Sequence, residues 1–290
     1  MNKDKITSIL KRSKILKIAL IVFVVCTALY FWGEKTVNFI QQEDELAGLP
    51  CYKGEGIATI EIRGDITTYF VYASASDKSD ETDKSDSSES DDAVSSEEVV
   101  ACIDNIQKDD SMKGVIVEID SPGGSPVASE EIMKALKRLS KPTAAVVRTG
   151  AVSGSYLIAT ATDRIFASEW SDIGSIGVTM SYLDNSQKNS DEGIIYQQLS
   201  AGKFKNTGDP DRPLTEEEKE LLMRDVNLMQ EAFIRNVATN RNLDIEKVKK
   251  LTDGSTMMGV AAKENGLIDE IGDANSAQSW LNDKIDAPQL

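Results

Sequence analysis

The chain contains no histidine among its 290 residues. This absence excludes a Ser-His-Asp triad and a histidine-ligated zinc site. Any nucleophilic serine in this protein must take its base from a lysine, a carboxylate or an N-terminal amine. A lysine serves as a base only if its pKa falls well below the free value of ~10.4, and burial away from carboxylates can lower it by up to ~3–5 units.

Cysteine is scarce as well. Cys26, Cys51 and Cys102 are the only three, and their spacing matches no metal site. Cys26 lies in an apolar segment. Cys51 and Cys102 can form a disulfide outside the cytoplasm, although nothing in the sequence requires one. Neither a metal nor an organic cofactor is implied.

Positive charge is also in short supply. The chain has 32 Lys and Arg against 48 Asp and Glu, which gives a formal net charge of −16. Nucleic-acid binding needs basic patches, so we expect no nucleic-acid partner. Residues 77–98 alone contribute −8. The Ser/Asp/Glu-rich segment 74–98 cannot bury enough apolar surface to order itself, so we predict a disordered acidic insertion that is dispensable for catalysis.

A basic N-terminus precedes one long apolar run. Residues 1–14 form the expected cytoplasmic N-terminus, and residues 15–33 form a transmembrane anchor of ~19 residues, long enough to cross the lipid bilayer. The basic flank places the N-terminus inside, and Tyr30 and Trp32 suit the outer interface. A cleaved signal peptide is the alternative, but no clear small-x-small cleavage site follows. We therefore expect a single-pass protein of the cell membrane with its catalytic domain outside the cytoplasm.

The remaining chain divides into a juxtamembrane linker over 34–55, a catalytic domain over 56–273 and a helical or frayed tail over 274–290. Within the domain, strands and helices alternate, which predicts an α/β fold with a largely parallel sheet. The glycine-rich turns then follow the carboxyl ends of strands, where open α/β sheets place their sites. The strands expected in this domain are Gly56–Ile62, Thr67–Tyr72, Gly114–Ile119, Thr143–Val147, Arg164–Ala167 and Ile194–Leu199.

The strongest candidate site lies within residues 149–180. Ser153 stands between Gly150 and Ser155 in a turn of small residues, just before an apolar helical segment. This is where an α/β hydrolase places its nucleophile, and the next N–H, that of Gly154, can stabilise an oxyanion. The alternative interpretation is a turn whose small residues only let a helix pack closely on the sheet.

A candidate base lies further along the chain. Residues 199–208 contain Lys203 and Lys205 and no acidic residue before Asp209, in a chain that is acidic elsewhere. That composition suits a lysine with a lowered pKa. The alternative is a solvated basic loop.

Five blocks now occur in order between about Gly56 and Gly272. They are Asp120-Ser121-Pro122-Gly123-Gly124, Val152-Ser153-Gly154 with a following tyrosine, Gly174-Ser175-Ile176-Gly177-Val178, Gly202-Lys203-Phe204-Lys205, and Asp253-Gly254-Ser255 continuing through Gly266-Leu267-Ile268-Asp269. Each block is weak alone, but the ordered set resembles the signal peptide peptidase A family.

The resemblance implies a crotonase/Clp-protease-like fold and a serine endopeptidase with a Ser-Lys dyad. It assigns Ser153 as nucleophile, Lys205 as general base and Ser175 as the residue that orients the lysine. It places oxyanion-hole amides at Gly123 and Gly124, beside the Gly154 amide. The implied substrates are remnant signal peptides and other hydrophobic, unfolded peptides. One departure stands out, because Ser155 replaces the family's usual second glycine; this leaves the geometry of the turn open and makes Ser155 a rival nucleophile.

The resemblance covers one catalytic repeat, whereas some family members carry two, and in those the serine and lysine come from different repeats. A single-repeat chain completes such a site by placing Lys205 of one subunit beside Ser153 of its neighbour. We therefore predict a head-to-tail homo-oligomeric ring. The alternatives are a non-catalytic peptide-binding scaffold on the same fold and an acyl-thioester, crotonase-like enzyme, which needs oxyanion amides but no Ser-Lys pair.

Overall fold

The structure, a computed structural model, describes residues 51–54, 56–69 and 93–287. The predicted anchor at 15–33 and residues 74–92 of the acidic insertion lie outside these ranges. Within them, no helix is both long enough and apolar enough to cross a membrane.

Strands and helices alternate along the described chain. The strands are β1 (Cys51–Lys53), β2 (Ile57–Thr67), β3 (Ala93–Ser95), β4 (Gly114–Gly124), β5 (Thr143–Val152), β6 (Arg164–Ala167), β7 (Asp172–Gly174), β8 (Thr256–Met258) and β9 (Glu270–Ile271). The helices are α1 (Ser96–Lys108), α2 (Pro126–Arg138), α3 (Gly154–Ala159), α4 (Ser186–Asp191), α5 (Glu216–Arg241), α6 (Ile245–Lys249), α7 (Gly259–Asn265) and α8 (Ala274–Asp286).

The strands of the described residues form one sheet in the order β1-β2-β4-β5-β6-β9. β3 pairs with β2, and the end of β5 pairs with β7, which in turn pairs with β8. The β1–β2 and β7–β8 pairs are antiparallel, and the other pairs are parallel. The predicted α/β fold with a largely parallel sheet is therefore confirmed.

Helices cover both faces of this sheet, and β4 shows the consequence in its sequence. Val115, Val117 and Ile119 face the larger core, into which α1, α2 and α3 pack. Ile116 points to the other face, into a smaller core that includes Leu281 of α8. Because successive side chains of a strand point to opposite faces and both faces are covered, β4 is apolar almost throughout.

Two predictions on the N-terminal side of the domain are wrong. β2 continues through Gly64 to Thr67 with a register shift between Arg63 and Asp65, and Thr68 and Tyr69 are not in a strand, so no separate strand begins at Thr67. Residues 70–72 of that prediction lie outside the described ranges. The acidic insertion was expected to be disordered as far as Glu98, but residues 93–98 form β3 and the start of α1. Val94 is buried there and pairs with Ile66, so this end of the segment has an apolar contact with β2.

The predicted strand Ile194–Leu199 is also wrong. These residues belong to a segment without regular sheet structure, and no described strand pairs with them. Leu199 is 99% exposed and Ile195 is 79% exposed. A run of apolar residues forms a strand only when a partner edge accepts its backbone hydrogen bonds, and within the described chain none does so here.

A disulfide joins Cys51 in β1 to Cys102 in α1, with 6.3 Å between their Cα atoms. The sequence left this pairing open. Cys102 is fully buried, so the bond fastens the first edge of the sheet to the larger core.

Candidate active site

Ser153 lies at the junction of β5 and α3 in a backbone conformation that side chains rarely adopt. Its φ is +56° and its ψ is −122°. A non-glycine residue at positive φ is strained, and such strain persists only where the surrounding structure holds it. A sharp strand-to-helix turn of this kind is the geometry in which an α/β hydrolase exposes its nucleophilic serine.

Backbone hydrogen bonds hold the turn on both sides. β7 pairs with the end of β5, and the Ser153 N–H donates to Gly174 O at 2.8 Å. The Leu157 N–H donates to Ser153 O at 3.1 Å, which begins α3. The Ser153 hydroxyl has no hydrogen-bond partner among the described residues, so it is available to a substrate.

Ser155 is part of the scaffold of this turn. Its side chain is fully buried. Its Oγ accepts from the Val152 N–H at 2.7 Å and lies 2.7 Å from Ser121 O and 2.8 Å from Val152 O. The serine that replaces the family's second glycine is therefore compatible with the sharp turn, and its hydroxyl is bound to backbone rather than free to attack.

The three candidate oxyanion glycines differ in where their N–H groups point. The Gly123 N–H donates to Ser121 Oγ at 3.1 Å, and Ser121 Oγ in turn donates to Gly64 O of β2. The Ser125 N–H also faces β2, where it donates to Ile66 O at 2.7 Å. Because successive N–H groups of a strand alternate in direction, the Gly124 N–H faces away from β2.

The Gly124 and Gly154 amides meet beside Ser153. A Cβ built on Gly154 would lie 3.6 Å from Gly124 N, and one built on Gly123 would lie 2.9 Å from Gly154 N. The same Gly154 Cβ would lie 2.2 Å from Ser129 Oγ, so glycine is required here for the close approach of α2 to α3. Ser129 is fully buried, and its place against the turn is a feature that sequence reasoning missed.

A cavity of about 350 Å³ opens in front of Ser153, Gly124 and Gly154. Its other lining residues are mostly apolar and come from α2, α3, the segment after β7 and α5: Pro126, Val127, Ser129, Glu130, Leu157, Gly177, Val178, Thr179, Met229, Ala232, Phe233 and Asn236. The contribution of α5 was also missed, since only the fold brings that helix to the serine.

Ser175 directly follows β7, the strand whose Gly174 O accepts the Ser153 N–H. Val152 pairs with Gly174, so the two serines follow neighbouring strand ends. Ser175 has a φ of +49°, and its Oγ donates to Gly254 O at 2.9 Å. Its backbone N–H donates to Ser255 O at 3.0 Å, so both hydrogen bonds tie Ser175 to the segment just before β8.

Lys205 is not brought to Ser153 within the described chain. Its side chain is exposed and does not line the cavity, and no acidic side chain of the described residues lies within ion-pair distance of it. The structure thus assembles Ser153, Gly124, Gly154 and the neighbouring Ser175, and leaves the candidate base apart from them.

Lys203, two residues earlier, is engaged elsewhere. Its Nζ lies 2.7 Å from Glu217 Oε2 and 5.2 Å from the centre of the Phe204 ring. Both members of the ion pair are more than half exposed, so this is a surface contact. Within the described residues, no group of His, Cys, Asp or Glu side chains could hold a metal ion.

Comparison with known proteins identifies the family. Residues 135–287 match the profile of peptidase family S49, which is more than half of the chain. The chain belongs to peptidase family S49. The match includes the Ser153 turn, Ser175 and the lysine segment, and the resemblance to the signal peptide peptidase A family is thereby confirmed.

Several curated relatives share this region. A protein of Methanocaldococcus jannaschii, provisionally named as a protease, is 38% identical over 62% of this chain and 58% of its own length. One from Enterococcus faecium, provisionally named as signal peptide peptidase SppA, is 36% identical over 61% of this chain and 52% of its own. The chloroplastic serine protease SPPA of Arabidopsis thaliana is 29% identical over 68% of this chain and 29% of its own. The chain thus spans little more than half the length of the Methanocaldococcus jannaschii and Enterococcus faecium relatives.

Among solved structures, the chain is similar to a ClpP1 mutant from Listeria monocytogenes. The TM-score is 0.48 and the sequence identity is 16%, with 76% of this chain and 93% of the other covered.

Proposed function

We propose that this protein is a membrane-anchored serine endopeptidase in which Ser153 is the nucleophile. The observation that carries the proposal is the strained turn at Ser153, whose free hydroxyl lies beside two backbone N–H groups at the mouth of an apolar cavity. Membership of a peptidase family supports the same reaction.

In the proposed reaction, Ser153 Oγ attacks the carbonyl carbon of the scissile peptide bond. The neutral amine of Lys205 takes the hydroxyl proton and then gives it to the leaving amine, so that an acyl-enzyme remains. Water, deprotonated by the same amine, hydrolyses the acyl-enzyme. The Gly124 and Gly154 N–H groups stabilise the oxyanion, and each such donor is typically worth ~10²–10³ in rate. We leave Gly123 out of this role because its N–H is bound to Ser121.

Ser175 is suited to orient the lysine. Its hydroxyl proton is committed to Gly254 O, so its oxygen can accept but not donate toward the site. An N–H of the lysine would donate to that oxygen, which leaves the nitrogen lone pair directed at Ser153. Because the lysine is active only as the neutral amine, we expect turnover to rise into the alkaline range and to fall as pH decreases.

We propose that Lys205 reaches the serine of a neighbouring subunit in a head-to-tail ring. The support is the contrast between a nearly assembled serine site and an exposed lysine segment. The chain between β7 and α5, which carries Lys205, also exposes Leu183, Ile195 and Leu199. An exposed apolar surface of this kind marks a contact with another protein.

The proposed substrates are remnant signal peptides and other hydrophobic, unfolded peptides. The cavity beside Ser153 is lined by Val127, Leu157, Val178 and Phe233, which suit an apolar side chain next to the scissile bond. The name of the Enterococcus faecium relative supports the same substrate class.

We place the catalytic domain outside the cytoplasm, on the outer side of a membrane that residues 15–33 would span. The Cys51–Cys102 disulfide supports this location, because structural disulfides persist in oxidising compartments.

The proposal is tested by incubating the protein with a fluorogenic peptide that carries an apolar residue before the scissile bond. We expect hydrolysis, together with labelling of Ser153 by a serine-reactive inhibitor located by mass spectrometry. Binding of the peptide without hydrolysis or labelling would favour the non-catalytic scaffold. Turnover of acyl-thioesters but not of peptides would favour the crotonase-like enzyme.

A further inference from the structure

The segment that carries Lys205 contains one nearly buried ion pair in otherwise exposed surroundings. Arg212 forms a two-pronged contact with Glu218 in the first turn of α5, with Nη2–Oε1 at 2.5 Å and Nη1–Oε2 at 2.9 Å. The two side chains are only 18% and 4% exposed. Most ion pairs in this region, such as Lys203–Glu217, are surface contacts, so this pair requires a separate explanation.

The pair reaches the backbone next to the lysine. Arg212 Nη2 also donates to Asn206 O at 2.7 Å, and Asn206 directly follows Lys205. Thr207 Oγ1 donates to Glu218 Oε1 at 3.3 Å. One guanidinium and one carboxylate therefore hold the chain on the C-terminal side of Lys205 against the rigid start of α5.

A second set of hydrogen bonds closes the loop from its other end. Tyr196 OH donates to Asp209 Oδ2 at 2.7 Å, and Asn206 Nδ2 donates to Tyr196 OH at 3.1 Å. The bond from Tyr196 is the main reason that the pKa of Asp209 is lowered. The bond from Arg212 is the main reason that the pKa of Glu218 falls from 4.5 to about 2, so Glu218 stays charged wherever a lysine base could work.

Helix capping alone does not account for this arrangement. Glu218 and Thr215 form a capping box, in which Glu218 Oε2 accepts from the Thr215 N–H at 2.9 Å. A capping box needs neither Arg212 nor the Asn206 carbonyl. Removing two charges from water is costly, and a buried ion pair is a weak source of stability. Its benefit here is a fixed direction for the loop.

We propose that Arg212 and Glu218 are positioning residues for the reaction, because they hold the Asn206 carbonyl and so fix the direction in which Lys205 leaves the loop. This inference rests on the proposed function, in which Lys205 is the base. A lysine side chain has a flexible stem of four carbons, so the position of its amine depends on the backbone that carries it. A displacement of a catalytic group by about 1 Å can lower the rate about 10²-fold.

The test compares Glu218→Gln and Arg212→Lys with a matched control. Glutamine keeps the size of the side chain and the capping hydrogen bonds but loses the charge, and lysine keeps the charge but loses the guanidinium fork. The control is Asp269→Asn, which weakens a second two-pronged pair, Arg241–Asp269, with both contacts at 2.9 Å and no contact with the lysine loop. This pair is partly buried, with side chains 7% and 31% exposed. Should that variant not fold, Glu270→Gln weakens the half-exposed Arg164–Glu270 pair instead.

Peptide hydrolysis is measured per folded molecule, together with hydrogen exchange of residues 196–212. For both loop variants we expect kcat to fall about 10–100-fold with KM little changed, and hydrogen exchange in 196–212 to become faster. The effect on kcat alone follows because a displaced Lys205 amine impairs proton transfer but not binding of the peptide. The control should keep the kcat of the wild type.

Two outcomes separate this inference from the proposed function. If Lys205→Ala is inactive while Glu218→Gln and Arg212→Lys keep the wild-type kcat, the pair is only structural and the inference is overturned. If Lys205→Ala itself remains active, the proposed base is wrong and the inference falls with it. A control variant that loses kcat to the same extent would also overturn the inference.

Discussion

The serine side and the lysine side of the candidate site are built in opposite ways. Ser153 follows a pair of hydrogen-bonded strand ends, and its buried neighbour Gly154 packs against the fully buried Ser129 of α2. Ser155 is buried as well. Lys205 lies in an irregular segment whose apolar residues are exposed, Leu199 almost completely. The serine side is complete within one chain. On the lysine side, the Arg212–Glu218 ion pair holds the loop in place. Within the described chain, however, Lys205 meets no nucleophile.

The proposed head-to-tail ring accounts for this difference. Large exposed apolar side chains near Lys205, such as Leu199, are typical of a surface that contacts another protein. A second copy would offer the serine site that Lys205 lacks within the described chain.

The largest expected effect comes from removing either reacting group. We expect Ser153→Ala and Lys205→Ala each to lower kcat by about 10⁴-fold or more. The two residues act together in one reaction, so the loss of either removes most of the activity. Lys203→Ala should keep most of the activity, since Lys203 is bound to Glu217 on the surface. Steady-state hydrolysis of a fluorogenic peptide measures all three.

Two results would change these assignments. An inactive Lys203→Ala variant beside an active Lys205→Ala variant would show that the base is Lys203. Full activity in Ser153→Ala would move the nucleophile to Ser155, against the hydrogen bonds that hold its hydroxyl.

The next effect concerns the stability of the sheet that carries the serine side. The Cys51–Cys102 bond closes a loop with a sequence separation of 51 residues, for which loss of loop-closure entropy predicts about 4 kcal/mol. We expect Cys51→Ser/Cys102→Ser to lower the free energy of unfolding by up to that amount in denaturant titrations, with kcat of the folded protein unchanged. Unchanged stability, or equal sensitivity of the wild type and the variant to a reductant, would show that the bond does not support the fold.

A somewhat smaller loss is expected at the oxyanion site. Gly154→Ala would bring a methyl group to 2.2 Å from Ser129 Oγ, which displaces the Gly154 N–H from its place beside Ser153. Losing one oxyanion donor typically lowers kcat by ~10²–10³. The matched control is Gly56→Ala, where φ is +77° but the added methyl group meets no atom within 4 Å. Similar kcat values for the two variants would mean that the Gly154 amide is not used.

The sequence predicted most of the serine side. β6 has the predicted bounds, and Ser153 lies in the predicted turn before a helix. These features depend on local patterns: apolar runs and small residues at a turn. The contacts of Ser129 with Gly154 and of Arg212 with Asn206 depend on which elements the fold brings together. The predicted strand at 194–199 failed because its apolar pattern has no partner edge in the described chain.

The smallest expected effect is the acid response of the lysine side. The pKa of Glu218 is about 2 in the folded protein against an ordinary value of 4.5, so its contribution to stability is fully present above pH 4.5 and is lost as pH falls toward 2. Hydrogen exchange in residues 196–212 should therefore accelerate between pH 4.5 and 2 before the sheet opens. In Glu218→Gln this acid-dependent step should be absent. Exchange that accelerates equally in both proteins would assign the step to another group.

The most direct test of the shared site is complementation between two inactive variants. Ser153→Ala subunits, which keep the lysine, are mixed with Lys205→Ala subunits, which keep the serine, under conditions that allow subunits to exchange. A site formed between subunits should regain part of its peptide hydrolysis in the mixture, with a maximum at intermediate mixing ratios. If the mixture stays inactive at every ratio although exchange of labelled subunits is complete, serine and lysine belong to the same chain, and the account of an incomplete lysine side is wrong.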